Sequence, residues 1–423
     1  MRHFGALGYL LFWFLAGSGI YLYIRFDTRL EGAYASIGEL EWWFGGVLRS
    51  VHRYAADAFV IVALLHLARE AWYGRFRGFR AFSWISGVPL LWLMYASGLV
   101  GYWLVWDQRA QFSFLAALEW FGLAASVGAP SDRLFSFFVF LHIGLPLALL
   151  AGMWVHVQRL GRPETSPPRT LALGLAGALL ALAALRPAAS AAPWDPSRAP
   201  LDLPVDWFYQ FFHPLMYATS AATLWLAVLG LSVILLLLPY VSKDKAAIPA
   251  RVDPGNCNGC GRCVADCPYE AVILSAANKA QVFAERCAAC GICAGACPSS
   301  TPFRSVAELV SGIDLPDLTV HALRDRMKDA LAAGAQELVF YCEKRRGQAG
   351  IALRCLAMLP PAFVEYALRH GARRVRAVGC EPQCAYRLGL ALADARFAGR
   401  AEPHLRATVR VERKDHEYSF ALR

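Results

Sequence analysis

The sequence predicts a multidomain protein in which an all-α transmembrane helical bundle of about six helices is followed by a small α+β domain and a small α/β domain. The chain is 57% hydrophobic and only 17% charged, too apolar for a soluble protein, yet its long apolar runs stop near residue 240. All 12 cysteines lie after residue 250. We therefore expect domains at residues 1–241, 242–305 and 306–423.

Six apolar segments approach the ~20 residues that a helix needs to cross a bilayer. They cover residues 4–24, 45–72, 83–106, 134–158, 169–186 and 215–240. The first segment also has features of a signal peptide, since Arg2 and His3 precede an apolar run. Its length and its glycines favour a helix that stays in the protein.

Loop charge predicts how this bundle is oriented. Basic residues follow the second, fourth and sixth segments, namely Arg69, Arg75, Arg77, Arg80, Arg159, Arg162, Arg169, Lys243 and Lys245. Positive loops favour the cytoplasmic side, so both termini and all cysteines are expected in the cytoplasm. The net charge of +10 is then a topology signal, and no nucleic-acid partner is expected. In that reducing compartment, metal ligation is more common than disulfides.

Two histidine pairs share one spacing, His52 with His66 and His142 with His156. Fourteen positions at ~100° each come within about 40° of four full turns, so each pair lies on one helix face ~21 Å apart. Helices joined through one intervening helix run parallel. This predicts two haems, one between His52 and His142 and one between His66 and His156. Histidines that are merely hydrogen-bonded are the alternative, and the equal spacing disfavours it.

Glycines recur at the same spacing in the neighbouring segments. Gly5 and Gly19 lie in the first, and Gly87 and Gly101 in the third. A residue without a side chain lets a flat macrocycle approach the backbone, so these four are predicted to face the haems. Close packing of membrane helices is the alternative explanation.

Residues 4–166 resemble cytochrome b of the bc-type complexes. The resemblance rests on GGVLRSVHRYAADAFVIVALLHLAREAWYGRF, SGVPLLWLMYASGLVGYWLVWDQ and LFSFFVFLHIGLPLALLAGMWVH. It implies two b haems, the His52–His142 haem near the periplasmic face and the other near the cytoplasmic face. It also implies that Arg49 pairs with a haem propionate, although a contact with a lipid headgroup is an alternative. A bacterial or archaeal cytoplasmic membrane, with quinone as substrate, follows from the same resemblance.

The chain departs from that family at both quinone sites. Where the family has Pro-Glu-Trp-Tyr, this chain reads Pro204, Val205, Asp206, Trp207, Phe208, with an inserted residue and a shorter acid. Five residues beyond the last haem ligand, where the family often has a polar or basic residue, lies Gly161. The candidate quinone-site residues are therefore Asp206, Trp207, Arg159 and Arg162.

Two cysteine motifs define the second domain. Residues 257–268 read CNGCGRCVADCP and residues 287–298 read CAACGICAGACP. Both are typical of bacterial two-cluster ferredoxins, in which the fourth cysteine ligates the opposite [4Fe-4S] cluster. One cluster would use Cys257, Cys260, Cys263 and Cys297, and the other Cys287, Cys290, Cys293 and Cys267. A zinc ribbon is disfavoured by the two copies with their terminal proline.

The remaining cysteines, Cys342, Cys355, Cys380 and Cys384, lie in a strand–helix–strand pattern. Their spacing fits a [2Fe-2S] cluster, zinc or buried free thiols. The stretches VFYCEKRRG and LRCLAMLPPAFVEYALRHGARRVRAVGCEPQCAY are similar to the delta subunit of methyl-viologen-reducing hydrogenase. That resemblance implies a [2Fe-2S] cluster that exchanges electrons with heterodisulfide reductase. The family commonly has a second cysteine soon after the first, which this chain lacks.

These features predict the membrane electron-transfer subunit of a quinone oxidoreductase. Electrons would move between a soluble cytoplasmic redox subunit and the quinone pool. By analogy, the soluble subunit would be heterodisulfide-reductase-like or an NAD(P)H-handling flavoprotein, because the chain has no G-x-G-x-x-G or P-loop pattern of its own. The alternatives are a non-catalytic membrane anchor or redox sensor, and a classical bc-type subunit. The direction of flow and a homodimeric state are left open.

Overall fold

The computed structural model describes residues 3–40, 42–127, 130–195, 197, 203, 206, 208–241, 248–345, 347–380 and 384–423. The chain divides into two compact units. The first combines Met1–Val157 with Pro163–Ser242, and the second combines Gln158–Arg162 with Lys243–Arg423. The second unit contains both of the predicted cysteine-bearing domains.

The first unit is mainly helical in its described residues. Its helices are α1 Phe4–Arg25, α2 Leu30–Gly38, α3 Val47–Trp72, α4 Ala81–Val105, α5 Gln108–Trp120, α6 Asp132–Val157, α7 Arg169–Leu185, α8 Phe212–Ala218 and α9 Ala221–Val241. A π-helical turn at Trp42–Gly46 leads into α3, and a 3₁₀ turn at Gly78–Arg80 leads into α4.

Five helical stretches are long and apolar enough to cross a membrane: Phe4–Arg25, Trp42–Trp72, Gly78–Val105, Asp132–Val157 and Ala221–Val241. The prediction of a helical membrane bundle is thus confirmed, but its count of six is not. Helix α7, the fifth of the predicted segments, has 17 residues. It rises about 26 Å, less than the ~30 Å hydrocarbon core.

The last predicted segment, residues 215–240, is broken near its start. Helix α8 ends at Ala218 and α9 begins at Ala221. The Ser220 hydroxyl accepts a hydrogen bond from the Thr223 backbone N–H at 3.1 Å, as a residue preceding a helix often does. The polar Thr219 and Ser220 therefore interrupt the apolar run.

Helix α5 has no counterpart among the predicted elements. Trp106 ends α4 in the left-handed conformation, with φ 57°. Asp107 then begins α5, because its carboxylate accepts a hydrogen bond from the Ala110 N–H at 3.0 Å. The other carboxylate oxygen accepts from the Ala191 N–H at 2.8 Å, so one buried acid ties two segments together.

Two helix pairs, α1 with α3 and α4 with α6, form the centre of the first unit. Leu11, Phe59, Met94 and Met153 are among the residues buried in its core. Many other large apolar side chains are exposed on the helices, which suits a surface that faces lipid.

The second unit begins with two short antiparallel sheets. Strand β1 (Arg251–Val252) pairs with β4 (Ile313–Asp314), and β2 (Val272–Leu274) pairs with β3 (Ala280–Val282). Each cysteine motif turns into a short helix, α10 (Arg262–Ala265) or α11 (Ile292–Ala296). Gly261 and Gly291 precede these helices with φ 72°, a conformation that favours glycine.

A five-stranded sheet in the order β6-β5-β7-β9-β8 completes the second unit. Strands β5 (Glu337–Cys342), β6 (Ile351–Leu353) and β7 (Arg374–Val378) are parallel, and the hairpin β8 (Val409–Lys414) and β9 (Glu417–Leu422) pairs antiparallel to β7. The helices here are α12 Val320–Ala332, α13 Pro361–Arg369 and α14 Gly389–Phe397. The strand–helix–strand pattern corresponds to β5, α13 and β7.

Candidate redox centres

The structure brings the predicted histidine couples face to face. The ring centroids of His52 and His142 are 6.2 Å apart, and those of His66 and His156 are 6.5 Å apart. With a metal–nitrogen bond of about 2 Å and about 1.2 Å from nitrogen to ring centre, two imidazoles on opposite sides of one metal have centroids about 6.4 Å apart. Both couples therefore have the separation that a shared haem iron requires.

Three of the four imidazoles have a hydrogen-bonding partner at Nδ1. The Ser18 hydroxyl lies 2.9 Å from His52 Nδ1, and the Ser86 hydroxyl lies 3.1 Å from His156 Nδ1. His142 Nδ1 lies 2.9 Å from the Ser97 carbonyl oxygen, which can only accept. For His66 Nδ1, no partner is found within the described residues. A partner at Nδ1 leaves Nε2 free to bind a metal.

Each of the four predicted glycines lies against one histidine. A Cβ placed on Gly101 would lie 2.9 Å from His142 Cε1, and one on Gly87 would lie 3.0 Å from His156 Cε1. The corresponding distances are 3.2 Å from Gly19 to His52 and 3.9 Å from Gly5 to His66. Gly19, Gly87 and Gly101 thus make room for the imidazoles themselves, whereas a Cβ at Gly5 would make only an ordinary van der Waals contact.

Arg49 lies one helical turn before His52 in α3. Its guanidinium donates to the Ser190 hydroxyl at 2.7 Å. Burial lowers solvation of this cation, so an anionic partner such as a haem propionate would stabilise it. Its pairing with a propionate remains a prediction.

Asp206 belongs to a mostly buried charge cluster beside the His52–His142 couple. Arg53, the residue after His52, forms ion pairs with both Asp57 and Asp206. The Asp206 carboxylate also accepts hydrogen bonds from the backbone N–H groups of Phe208 and Tyr209, at 3.0 and 2.8 Å. Its neighbour Trp207, the other candidate here, lies outside the described residues.

Sequence reasoning missed Asp57 and the aromatic residues around this cluster. The Arg53 guanidinium lies 5.0 Å from the centre of the Tyr102 ring, and the Tyr209 hydroxyl donates to the Ala56 carbonyl at 3.0 Å. A charged residue inside an apolar helix is itself a signal of function. Asp57 carries that signal in the sequence.

Arg159 and Arg162 lie in the segment Gln158–Arg162, which belongs to the second unit. Arg162 donates to the Ala265 carbonyl at 2.8 Å and lies 3.6 Å from the Asp266 carboxylate. The Gly161 N–H donates to the Pro268 carbonyl at 3.0 Å. Arg162 thus contacts the first cysteine motif, residues 257–268. Its assignment to a quinone site stays a prediction.

The eight cysteines of the two motifs surround two separate pockets. One is lined by Cys257, Cys260, Cys263 and Cys297, and the other by Cys267, Cys287, Cys290 and Cys293. In each, the fourth cysteine comes from the opposite motif. We call them cubane pocket A and cubane pocket B. This crosswise arrangement is the one expected for two [4Fe-4S] clusters.

Backbone N–H groups point at the cysteine sulfurs. Ala280 donates to Cys257 at 3.4 Å, Ala271 to Cys267 at 3.3 Å, and Ala250 to Cys287 at 3.5 Å. Such bonds stabilise thiolates that ligate a cluster. Burial raises the pKa of Cys290 to about 12, so a bound metal would have to displace its proton.

The other four cysteines gather at the ends of the five-stranded sheet. Cys342, Cys355, Cys380 and Cys384 are all buried. Hydrogen bonds from Cys355 and Cys380 lower the pKa of Cys384, and the contact with Cys384 raises the pKa of Cys355. We call this set of four cysteines the third cysteine site. Its four thiols are of the ligand type that iron–sulfur clusters use.

No group of three or more His, Cys, Asp or Glu side chains in the described part of the chain has the geometry to hold a single metal ion. That the third cysteine site holds a [2Fe-2S] cluster stays a prediction.

Comparison with known families agrees with this geometry. Residues 57–173 match the family model described as cytochrome b(N-terminal)/b6/petB, and residues 256–301 match that of the 4Fe-4S dicluster domain. The chain carries a cytochrome b N-terminal domain and a 4Fe-4S dicluster domain. These domains imply haem b and iron–sulfur clusters, as the histidine and cysteine patterns predicted.

Curated relatives match the cytochrome b part. A menaquinol:cytochrome c reductase cytochrome b subunit of Geobacillus thermodenitrificans is 27% identical over 36% of this chain and 74% of its own length. Cytochrome b6 of Heliobacterium mobile is 30% identical over 30% of this chain and 60% of its own. Cytochrome b of Cyanidium caldarium is 27% identical over 40% of this chain and 48% of its own length. The chain thus spans about half to three quarters of these relatives.

A solved structure described as a hyperthermophilic respiratory Complex III is also similar. It is 20% identical with a TM-score of 0.47, over 56% of this chain and 74% of that one.

Proposed function

We propose that this chain is the membrane electron-transfer subunit of a quinone oxidoreductase. It would move electrons between a soluble cytoplasmic redox subunit and the membrane quinone pool. The observation that carries the proposal is that two histidine couples, at 6.2 and 6.5 Å, and three sets of four cysteines occur in one chain. Such a series of one-electron sites suits transport over a distance.

Each set of histidines or cysteines would hold one redox centre. His52 with His142, and His66 with His156, would hold two b haems, which supply one-electron redox chemistry when bound. Cubane pockets A and B would each hold a [4Fe-4S] cluster, and the third cysteine site a [2Fe-2S] cluster. The protein fixes the order and the potentials of these centres.

Asp206 would act at a quinone site near the first couple. Its carboxylate is held by Arg53, which is adjacent in sequence to the haem ligand His52. Quinone takes up two protons when it is reduced and quinol releases two when it is oxidised, and a positioned carboxylate can transfer them in either direction. Asp57 shares the same guanidinium and would carry the second proton.

The cytoplasmic partner would be a heterodisulfide-reductase-like protein or an NAD(P)H-handling flavoprotein. With the termini and cysteine domains in the cytoplasm, the second unit is the part that such a partner can reach. Purification in mild detergent, followed by identification of co-purifying subunits, would name it.

Quinone-dependent reoxidation of the haems tests the proposal. The purified protein is reduced chemically, and the excess reductant is removed under anaerobic conditions. The protein is then mixed with a water-soluble menaquinone analogue while haem absorbance is followed. We expect rapid reoxidation, with about two electrons leaving the protein per quinone reduced. Haems that stay reduced with quinone present would contradict the proposal and favour a redox sensor or anchor.

A classical bc-type subunit is the second candidate, and the name of the Geobacillus relative favours it. That function requires quinol oxidation on the periplasmic side and a Rieske partner. An inhibitor of that quinol site would then block all turnover. In the proposed function, haem reduction from the cytoplasmic side continues in its presence.

A further inference from the structure

Arg396, in α14, is a fully buried cation between two cysteine sites of the second unit, with 0% of its surface exposed. Its guanidinium donates to the Asp266 carboxylate at 2.7 Å, to the Ala357 carbonyl at 2.7 Å and to the Ile292 carbonyl at 3.4 Å. Asp266 directly precedes Cys267, and Ile292 lies between two other ligands of cubane pocket B. Ala357 follows Cys355 of the third cysteine site by two residues.

The same two sites touch through their backbones. A Cβ on Gly295 would collide with the Ala357 carbonyl and lie 2.9 Å from the Arg396 guanidinium. A Cβ on Gly389 would collide with the Cys355 sulfur and lie 3.9 Å from the Ile292 side chain. Cubane pocket B and the third cysteine site are therefore direct neighbours.

Cubane pocket A has different surroundings. Its other lining residues include Leu274, Gly312 and Ile313, and its ligand Cys260 is exposed. Neither Arg396 nor the segment around Cys355 lines it. The contacts described above thus connect the third cysteine site to cubane pocket B.

A buried ion pair of this kind acts strongly on nearby charges. In a medium of low dielectric, interactions between charges are far stronger than in water. A cation beside a cluster favours its reduced, more negative form, and a carboxylate disfavours that form. Burying Arg396 and Asp266 is costly in itself, which makes them weak candidates for a purely stabilising role.

We propose that Arg396 and Asp266 are positioning residues that set the potential of the cluster in cubane pocket B, and that this cluster is the electron partner of the third cysteine site. This rests on the proposed function, because both sites must hold clusters. Transfer across the junction moves one electron and no proton. The third site is oxidised by one electron and the cubane is reduced by one, the electron coming from the soluble donor.

Potentiometric titration followed by EPR of the full-length protein tests this inference. A Cys260→Ser variant identifies the signal that belongs to cubane pocket A. We expect Arg396→Gln to lower the potential of the pocket B cluster, because a buried positive charge is lost and Asp266 keeps, among the described residues, only the more distant Arg162, at 3.6 Å. We expect Asp266→Asn to raise that potential. The double variant should return close to the wild-type value, and Arg396→Lys should stay close to it. The pocket A cluster should not move.

Arg400→Gln is the matched control, since Arg400 follows the same helix, is exposed and pairs with Asp394. If the two residues had only a structural role, Arg396→Gln and Asp266→Asn would shift the potential of the pocket B cluster in the same direction. That result would overturn the inference, and so would an unchanged potential in both variants. If Arg396→Gln does not retain its iron, the potential of the pocket B cluster in Asp266→Asn tests the inference by itself: a rise supports it, and no rise overturns it. A wild-type protein without cluster signals would instead contradict the proposed function.

Discussion

Two histidines fourteen positions apart lie on one face of a helix, and both α3 and α6 carry such a pair. A spacing of fourteen in two helices is enough to pair four residues, and the structure places both pairs at metal-sharing separation. The Arg53–Asp206 ion pair could not be predicted in this way. It depends on how a loop 153 residues later in the chain folds back onto α3.

At the residue scale, Gly101→Val should remove one haem. A Cβ at this position would lie 2.9 Å from His142 Cε1, so a branched side chain displaces the imidazole. We expect the haem content, measured as pyridine haemochrome per protein, to fall by about half, since two couples are independent ligand sets.

Gly144→Val is the control for that variant. Gly144 lies in α6, two residues after His142, and a Cβ there meets no atom within 4 Å. Its haem content should match the wild type. Equal haem loss in both variants, or none in Gly101→Val, would show that Gly101 does not make room for the ligand.

Elements were predicted well where an apolar run is long and poorly where it is short. Helices α2 and α5 have 9 and 13 residues and no spanning apolar run, so they were missed. The apolar composition of helix α7 predicts a transmembrane helix, although the helix is only 17 residues long. Hydropathy predicts an environment more reliably than it predicts where a helix ends.

At the element scale, Asp107→Ala should destabilise the first unit. The change removes the carboxylate that begins α5 and leaves the Ala110 and Ala191 N–H groups without their acceptor. Loss of such a cap costs about 1–2 kcal/mol, so the thermal unfolding midpoint in detergent should fall.

Asp107→Asn tests the physical reason for that fall. An amide oxygen still accepts one of the two hydrogen bonds, so this variant should retain part of the stability. An unfolding midpoint that is unchanged in Asp107→Ala would show that α5 does not depend on this cap.

At the scale of the whole molecule, the order of the cytochrome b region and the 4Fe-4S dicluster region followed from composition and cysteine spacing. How the cysteine sites contact one another did not, because those contacts join distant positions. Asp266 and Arg396 are 130 residues apart in the chain. Asp266 is a non-cysteine position of the first cysteine motif, and Arg396 belongs to no motif. Local patterns specify ligand sets, whereas the path between the sets depends on tertiary packing.

In the proposed function, electrons from the cytoplasmic side reach the haems through the cysteine sites. Stopped-flow absorbance can follow haem reduction by a reduced water-soluble viologen in sealed proteoliposomes selected for outward-facing cysteine domains, comparing wild type with Cys290→Ser/Cys293→Ser. We expect wild-type haems to be reduced and haem reduction in the variant to be at least about tenfold slower, with its haem content intact. Equal rates in the two proteins would show that electrons reach the haems without passing through cubane pocket B.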